Sequence, residues 1–312
     1  YTQSSFPGIL TSSFFLDVND KKKLSRQRVL ISEALKKKGV ATAGLHSNPY
    51  LSAFFGYKRG WDYFYDSMMA DVDPDCPYET ARDLNKKAMN WLTDHIEDNA
   101  DRSEKQPFFL WMHYMDVHEP YVPGKEAMLT INDSLDISRE EMIRLFREVL
   151  LKRDVSDEET VVTLRDLYDA QILETDSAVK EFFGFCDEKG ILDNTTILLS
   201  ADHGDEFNEH GGLSHDAKMY NELLGVPLLI YKKGQEGVSI DGVSSTLDIC
   251  PTIMHLFGLK DELQFQGVSL LPHNRYERAY ACSEAIDKNT GARIFSAQNA
   301  TSKLIYNSKE NT

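Results

Sequence analysis

The chain has 312 residues, enough for one large domain or for a large domain with a small one. It is 41% hydrophobic and 27% charged, which is typical of a soluble globular protein, and no apolar run approaches the roughly 18 uncharged residues that a membrane helix needs. The net charge of -16 argues against nucleic acid as a partner, because phosphate contacts require Lys and Arg on a basic face. An anionic substrate would need local positive charge, for which a metal ion is the obvious source.

The cysteines favour separate thiols over a metal site. Cys76, Cys186, Cys250 and Cys282 lie far apart and form no CxxC pair, so a structural zinc site is not expected. Isolated thiols favour a reducing compartment such as the cytoplasm. Because the chain begins with Tyr1 rather than Met, we expect the natural protein to begin upstream. The sequence predicts neither an oligomeric state nor a definite compartment.

Helical and strand patterns alternate along most of the chain. In chain order they predict a helix at Leu24 to Lys38, a strand at Val40 to His46, a helix at Thr80 to Ile96, a strand at Pro107 to Tyr114, and short helices within residues 124–160. There follow a long helix at Glu159 to Cys186, a strand at Thr195 to Ala201, a buried strand at Val226 to Tyr231, and a helix at Leu247 to Phe257. Such alternation predicts a three-layer α/β/α sandwich around a mostly parallel sheet.

The pattern changes after about residue 275. Arg278 to Ser283, Arg293 to Gln298 and Lys303 to Tyr306 are typical of short antiparallel strands. We therefore expect two units, an α/β catalytic domain at residues 1–274 and a small antiparallel subdomain at residues 275–312.

Polar clusters follow three of the predicted strands. They are His46 to Asn48, His113 to His118, and Asp202 with His203. In parallel sheets, ligands bind at the carboxyl ends of the strands, so we expect these clusters to lie in one cleft. A cleft of this kind predicts a functional site.

The strongest single motif is Asp202-His203-Gly204. An apolar strand delivers a carboxylate and an imidazole side by side, both of them good ligands for a divalent ion, and Gly204 allows a sharp turn. A bare Asp-His-Gly is usually an ordinary polar loop. The surrounding sequence therefore decides its meaning.

That surrounding sequence resembles a known family. The stretch from Asp202 through His215 to Val226-Pro227-Leu228 resembles the sulfatase pattern, in which a strand ends in Asp-His-Gly or Asp-Asn-Gly and a Val-Pro-Leu strand follows. Further segments resemble the same family, namely His46 to Tyr50, Arg59 to Asp62, His113 to Tyr121, Tyr168 to Asp176, Asp248 to Thr252 and Gly267 to Leu270. From residue 2 to about residue 306, the chain is thus similar to sulfatase-type hydrolases of the alkaline-phosphatase superfamily.

The resemblance implies a nucleophile near the start of the chain. Many sulfatases use a Cys that is converted to formylglycine, nine residues before the Thr of a Leu-Thr-Gly segment. Counting back from Thr11 puts Thr2 at that position, with Ser4 and Ser5 as alternatives. Position 2 is not Cys and position 6 is not Arg, so the formylglycine signal is absent. The family also has an Asp pair on an upstream strand, so we expect part of the metal site to lie upstream or to be lost.

The resemblance also implies a metal site. Asp202 and His203 would hold one divalent ion, which is Mn²⁺, Zn²⁺, Mg²⁺ or Ca²⁺. The imidazole of His203 favours Mn²⁺ or Zn²⁺ over Ca²⁺, because it is a softer ligand than an amide oxygen.

Four further residues are candidates for contact with the substrate. By the resemblance, Asn48, His118 and His215 would bind the oxygens of a sulfate or phosphate group. His118 or His215 could also protonate the leaving group, because imidazole titrates near neutrality. Lys218 could add positive charge.

The sequence therefore predicts a metal-dependent hydrolase of small-molecule sulfate esters. The first alternative is a phosphate monoester or diester hydrolase, or a phosphotransferase, with a Thr nucleophile. The second is a non-catalytic relative with a degenerate metal site, since fold does not establish function.

Overall fold

Helices and strands alternate through residues 1–17, 23–67, 78–152, 157–272 and 277–310, which are the parts of the chain that the computed structural model describes. The helices are α1 Thr2–Thr11, α2 Ile31–Lys36, α3 Ala81–Asn99, α4 Lys125–Ile131, α5 Arg139–Lys152, α6 Glu158–Glu188, α7 Asn221–Leu224 and α8 Ile249–Leu256. The strands are β1 Ala41–His46, β2 Tyr63–Asp66, β3 Phe108–His113, β4 Thr196–Ser200, β5 Glu206–Phe207, β6 Leu213–Ser214, β7 Leu228–Lys232, β8 Ala281–Ile286, β9 Arg293–Gln298 and β10 Lys303–Asn307.

A parallel sheet carries helices on both faces. Strand β1 lies between β2 and β3 and pairs with both in parallel. Alternate residues of β3 face opposite ways, so Trp111 packs with the core of α1, α2 and α8, whereas Met112 packs against α3. The predicted α/β/α layering is confirmed.

Strands β4 and β7 form an antiparallel pair of their own. The prediction that Val226 to Tyr231 is a buried strand is wrong, because Leu229 is 60% exposed and Tyr231 is 42% exposed. Within the described ranges β7 is hydrogen-bonded only to β4, so much of its apolar surface is left uncovered.

The first predicted helix is shorter than expected. Helix α2 begins at Ile31, where the Glu33 carboxylate accepts a hydrogen bond from the Leu30 N–H at 3.0 Å. Before it, the buried Arg28 guanidinium donates to the carbonyl of Phe15 at 3.0 Å. Arg28 thus ties the preceding segment to the loop after α1. The other predicted helices, and the short helices of residues 124–160, are confirmed with small shifts at their ends.

The C-terminal antiparallel sheet is confirmed, in the order β8-β9-β10 with β9 in the middle. The proposed boundary near residue 275 falls beside residues 273–276, which lie outside the described residues, so the division into two units stays a prediction. Arg278 forms an ion pair with the fully buried Asp248 and joins the C-terminal segment to α8.

Cys186, Cys250 and Cys282 are free thiols, and Cys76 lies outside the described residues. Of the helices that the structure describes, none has the length and apolar character needed to cross a membrane.

Candidate functional site

The turn after β4 depends on a glycine. The Gly204 N–H donates to the carbonyl of Leu223 at 2.9 Å. A Cβ at Gly204 would lie 2.1 Å from the Glu222 carbonyl oxygen, far inside contact distance. Glycine is required here by close packing, and it directs Asp202 and His203 into the site.

His203 has the protonation state of a metal ligand. Its Nδ1 lies 3.0 Å from the Gly204 carbonyl oxygen, so Nδ1–H donates there and Nε2 keeps its lone pair. Burial lowers the pKa of His203 to about 4, which makes the ring neutral at neutral pH. Nε2 lies 3.5 Å from Oδ2 of Asp202, so both candidate ligand atoms face the same space.

The Thr2 hydroxyl lies at the same point. Thr2 begins α1, is 7% exposed, and has its Oγ1 3.4 Å from Nε2 of His203. Of the two alternatives, Ser5 donates to the Tyr1 carbonyl at 3.2 Å, and the Ser4 hydroxyl is buried without a partner in the described parts of the chain. Thr2 is the candidate nucleophile that meets a candidate metal ligand.

The residues present fit a divalent ion. Oδ2 of Asp202 is buried and makes no hydrogen bond to any described residue, which is costly unless a cation or another donor meets it. Among the described side chains, His203, Asp205 and His215 also have ligand atoms within 4.8 Å of one another. Asp205 and His215, however, already bind each other at 2.9 Å, so Asp202 and His203 are the better ligand pair.

Three histidine rings form one cluster. The His215 ring centroid lies 4.3 Å from that of His203 and 5.1 Å from that of His118. Burial opposes charge on both His215 and Asp205, but the hydrogen bond between them raises the pKa of His215 and lowers the pKa of Asp205. His118 donates from Nδ1 to the Glu119 carbonyl at 2.8 Å. The structure thus places His215 next to His203, and His118 next to His215.

Asn48 and Lys218 have other partners. Asn48 is 2% exposed, and its Oδ1 accepts a hydrogen bond from the Tyr50 N–H at 2.9 Å. Its Nδ2 lies 3.3 Å from Sδ of Met115. The Lys218 ammonium donates to the buried Glu206 carboxylate at 2.6 Å, so its charge is already neutralised locally. Their substrate-binding roles stay predictions.

A cavity of about 610 Å³ opens beside these residues. Asp202, His203 and His215 line one end of it, and Ser283 and Gln298 of the C-terminal sheet line another part. The volume lies in the range of small-molecule sites.

Residues 1–259 match the sulfatase family. The chain belongs to the sulfatase family. It is 23% identical over 256 residues to an arylsulfatase of Clostridium perfringens, which covers 76% of this chain and 52% of that protein. This sulfatase-family chain spans about half, or less, of the length of the curated relatives that it matches.

Solved structures share the fold of this sulfatase-family chain. A protein in complex with its substrate D-glucosamine-2-N,6-O-disulfate has a TM-score of 0.73 at 18% identity, covering 98% of this chain and 79% of that one. The phosphonate monoester hydrolase of Agrobacterium radiobacter has a TM-score of 0.68 at 14% identity, covering 99% and 80% respectively.

Three further residues of the candidate site were not predicted from the sequence. Asp205 binds His215, Tyr121 donates to Asp205 at 2.6 Å, and Glu119 has an Oε atom 3.4 Å from Nδ1 of His215. Each lies inside a motif already recognised. Their closeness in sequence to His118 and His203 could have marked them as candidates, but the sequence carries no signal for the hydrogen bonds between them.

Proposed function

We propose that the protein carrying this chain is a metal-dependent hydrolase of small-molecule sulfate esters. The observation that carries the proposal is the approach of the Thr2 hydroxyl to Nε2 of His203, beside the unsatisfied Oδ2 of Asp202. A hydroxyl nucleophile then lies next to two candidate ligands for a divalent ion, and those two ligands line a cavity large enough for a small ester. Family membership supports the same reaction class.

Each of these side chains has a role in the proposed reaction. Asp202 and His203 would hold the divalent ion, with Mn²⁺ or Zn²⁺ favoured by the imidazole. When bound, such an ion lowers the pKa of a coordinated hydroxyl and offsets the negative charge of the ester oxygens. Thr2 would attack the sulfur or phosphorus atom. His215, whose ring lies next to that of His203, and His118, whose ring lies next to that of His215, would hydrogen-bond the ester oxygens.

A phosphate ester hydrolase or phosphotransferase is the second candidate. It is favoured by the hydroxyl of Thr2 at the position where a formylglycine would otherwise stand. Phosphorus accepts attack by an activated alkoxide, so an unmodified Thr2 should turn over phosphate esters faster than sulfate esters. Whether Thr2 carries a modification would be read directly by mass spectrometry.

The C-terminal sheet would serve the same substrate. We propose residues 1–274 as the catalytic domain and residues 275–312 as a small subdomain. Because Ser283 and Gln298 of this sheet line the cavity, the subdomain would contact the part of the ester beyond the reacting group.

The test is a comparison of aryl sulfate and aryl phosphate hydrolysis by the full-length protein, supplied with Mn²⁺ or Zn²⁺. Thr2→Ala should reduce turnover by several orders of magnitude, whereas Ser5→Ala should leave most of it. Unchanged turnover in Thr2→Ala would remove Thr2 from the mechanism. No turnover of either ester by the folded, metal-loaded wild type would favour the non-catalytic alternative.

A further inference from the structure

Tyr121, Asp205 and His215 form a buried hydrogen-bonded chain. The Tyr121 hydroxyl donates to Oδ2 of Asp205 at 2.6 Å, and Nδ1 of His215 lies 2.9 Å from Oδ1 of the same carboxylate. Tyr121 is 2% exposed, and the side chains of Asp205 and His215 are 6% and 14% exposed. Both carboxylate oxygens are used, so the plane of Asp205 is held from two sides.

The far end of this chain is anchored in the helical core. The Tyr121 ring packs against Phe146, Tyr168 and Phe207 at centroid distances of 5.8, 5.4 and 5.9 Å. Burial and the charge of Asp205 raise the pKa of Tyr121, so its hydroxyl stays protonated and donates. The orientation of the His215 ring therefore depends, through Asp205, on how Tyr121 packs in this helical core.

His118, Glu119 and His215 could also be considered as a second metal site, since their ligand atoms lie within 4.8 Å of one another. Oε2 of Glu119 lies 3.7 Å from Nδ1 of His118 and 3.4 Å from Nδ1 of His215. Both nitrogens are already hydrogen-bonded elsewhere, to the Glu119 carbonyl and to Asp205. A metal ion bound through these two nitrogens would have to break both bonds, so the geometry favours an oriented ring over a metal site there.

We propose that Asp205, held by Tyr121, is a positioning residue that fixes the tautomer and orientation of His215 and directs Nε2 at the leaving oxygen of the ester. This inference rests on the proposed function. As the bond from sulfur or phosphorus to that oxygen breaks, the electron pair stays on the oxygen, and the Nε2 proton of His215 forms the new O–H bond. The Nδ1 proton remains between His215 and Asp205, and water returns the proton to Nε2. The arrangement selects His215 over His118, because Nδ1 of His118 donates to the neutral Glu119 carbonyl at 2.8 Å and its nearest carboxylate, that of Glu119, is 3.7 Å away.

The kinetic test uses a series of aryl esters with increasingly poor leaving groups. Asp205→Asn should lower kcat by about 10²–10⁴-fold for the poorest leaving group and far less for the best, because a good leaving group needs no proton. The amide of an Asn can donate to Nδ1, which would reverse the tautomer. Tyr121→Phe should show the same trend with a smaller loss, and KM should change little in both variants.

Tyr168→Phe is the matched control. Tyr168 packs on Tyr121 but makes no hydrogen bond to Asp205 among the described contacts, so its hydroxyl should not affect the leaving-group dependence. Equal losses for all leaving groups in Asp205→Asn, or a change in KM alone, would overturn the positioning role.

Nitrogen-15 NMR of the histidine rings tests the geometry without turnover. The wild type should have a hydrogen-bonded proton on Nδ1 of His215, which Asp205→Asn should remove and Tyr121→Phe should weaken. An unchanged Nδ1 signal in a folded Asp205→Asn variant would overturn the inference. If no ester is hydrolysed but the NMR result is as expected, the proposed function fails while the ring orientation stands. Tyr121→Phe removes a single oxygen atom and serves if Asp205→Asn does not fold.

Discussion

Two strand ends with similar polar sequences use their side chains in different ways. After β4, Asp202 and His203 face one open space, where the Thr2 hydroxyl lies 3.4 Å from the imidazole. After β1, His46 is fully buried, and neither of its ring nitrogens has a hydrogen-bond partner in the described ranges. Asn48 caps its own turn instead. The carboxyl end of a strand gathers polar groups, but their surroundings determine which of them can react.

The physical difference is the partner available to each imidazole. His46 lies between the rings of Phe64 and Trp111, at centroid distances of 5.1 and 6.3 Å. Burial, with a smaller effect of the neighbouring His113, lowers the pKa of His46 to about 3. His46 is therefore a neutral core residue, whereas His215, bound to Asp205, has a raised pKa.

The largest expected effect is at Asp202. Asp202→Ala should lower turnover by on the order of 10³-fold and weaken binding of the divalent ion, because it removes a buried carboxylate that we propose as a ligand. Asp216→Ala is the control, since Asp216 is an exposed carboxylate lining the same cavity. Metal titration by calorimetry and steady-state kinetics are the measurements. If both variants bind metal equally well, Asp202 is not a ligand, and the end of β4 would no longer differ from the end of β1 as a metal site.

His46 should affect stability rather than catalysis. The pKa of His46 in the folded protein is about 3, below the unfolded value of about 6.5, so between these pH values only the unfolded state binds the proton. The free energy of unfolding is therefore unaffected by this group above pH 6.5 and falls as the pH is lowered towards 3. At about 1.4 kcal/mol per pH unit, the loss from this site at pH 4 is about 3 kcal/mol. His46→Phe should remove that loss, as measured by urea denaturation at pH 7 and pH 4.

His255→Phe, at an exposed position of α8, should keep the wild-type pH dependence. A marked fall in turnover for His46→Phe at pH 7, with stability unchanged, would instead mean that the end of β1 takes part in the reaction.

The fold was largely predictable because its patterns are local. Helix α6 keeps apolar residues at helical spacing over its length, and an apolar strand precedes Asp202 and His203. The exposure of β7 was not predictable, since its residues are apolar, and burial depends on what covers them. The helix predicted to begin at Leu24 begins only at Ile31, because Arg28 holds the preceding segment in a loop through hydrogen bonds to the carbonyls of Phe14 and Phe15.

For the candidate site, the sequence predicted several of the residues but not which of them are hydrogen-bonded to each other. The Asp-His motif follows from two adjacent positions in the sequence. The hydrogen bond from Tyr121 to Asp205 joins residues 84 positions apart, and no local pattern encodes such a pairing. The family resemblance places Thr2 by counting, whereas its distance from His203 required the packing of α1.

Asp116 offers a pH effect of opposite sign to that of His46. Burial raises the pKa of Asp116 to about 6, even though its carboxylate accepts a hydrogen bond from the Ala81 N–H at 2.8 Å. Its contribution to stability is therefore complete below pH 4 and is lost as pH rises through 6, by about 2–3 kcal/mol. Asp116→Asn should stabilise the protein at pH 7 and have little effect at pH 4.

Thermal unfolding at both pH values measures this difference, with Asp94→Asn on the exposed side of α3 as the control. Destabilisation of Asp116→Asn at pH 7 would indicate that the ionised carboxylate stabilises the start of α3. In that case Asp116 and His46 would not have opposite effects on the pH dependence of stability.

The smallest expected effect tests the capping role of Asn48. Asn48→Ala removes the acceptor for the Tyr50 N–H and should lower the free energy of unfolding by about 1 kcal/mol. Asn48→Asp keeps an acceptor oxygen at the same place, but the site is 2% exposed, so the buried carboxylate should lower stability at pH 7 and cost less near pH 4, where it is protonated. Because the amide is already engaged, KM should change little in Asn48→Ala. In Asn48→Asp, a new negative charge would repel an anionic ester that came into contact with it. Urea denaturation and KM measured for both variants separate the two roles, and a large rise in KM for folded Asn48→Asp, well beyond that for Asn48→Ala, would restore Asn48 to the substrate site.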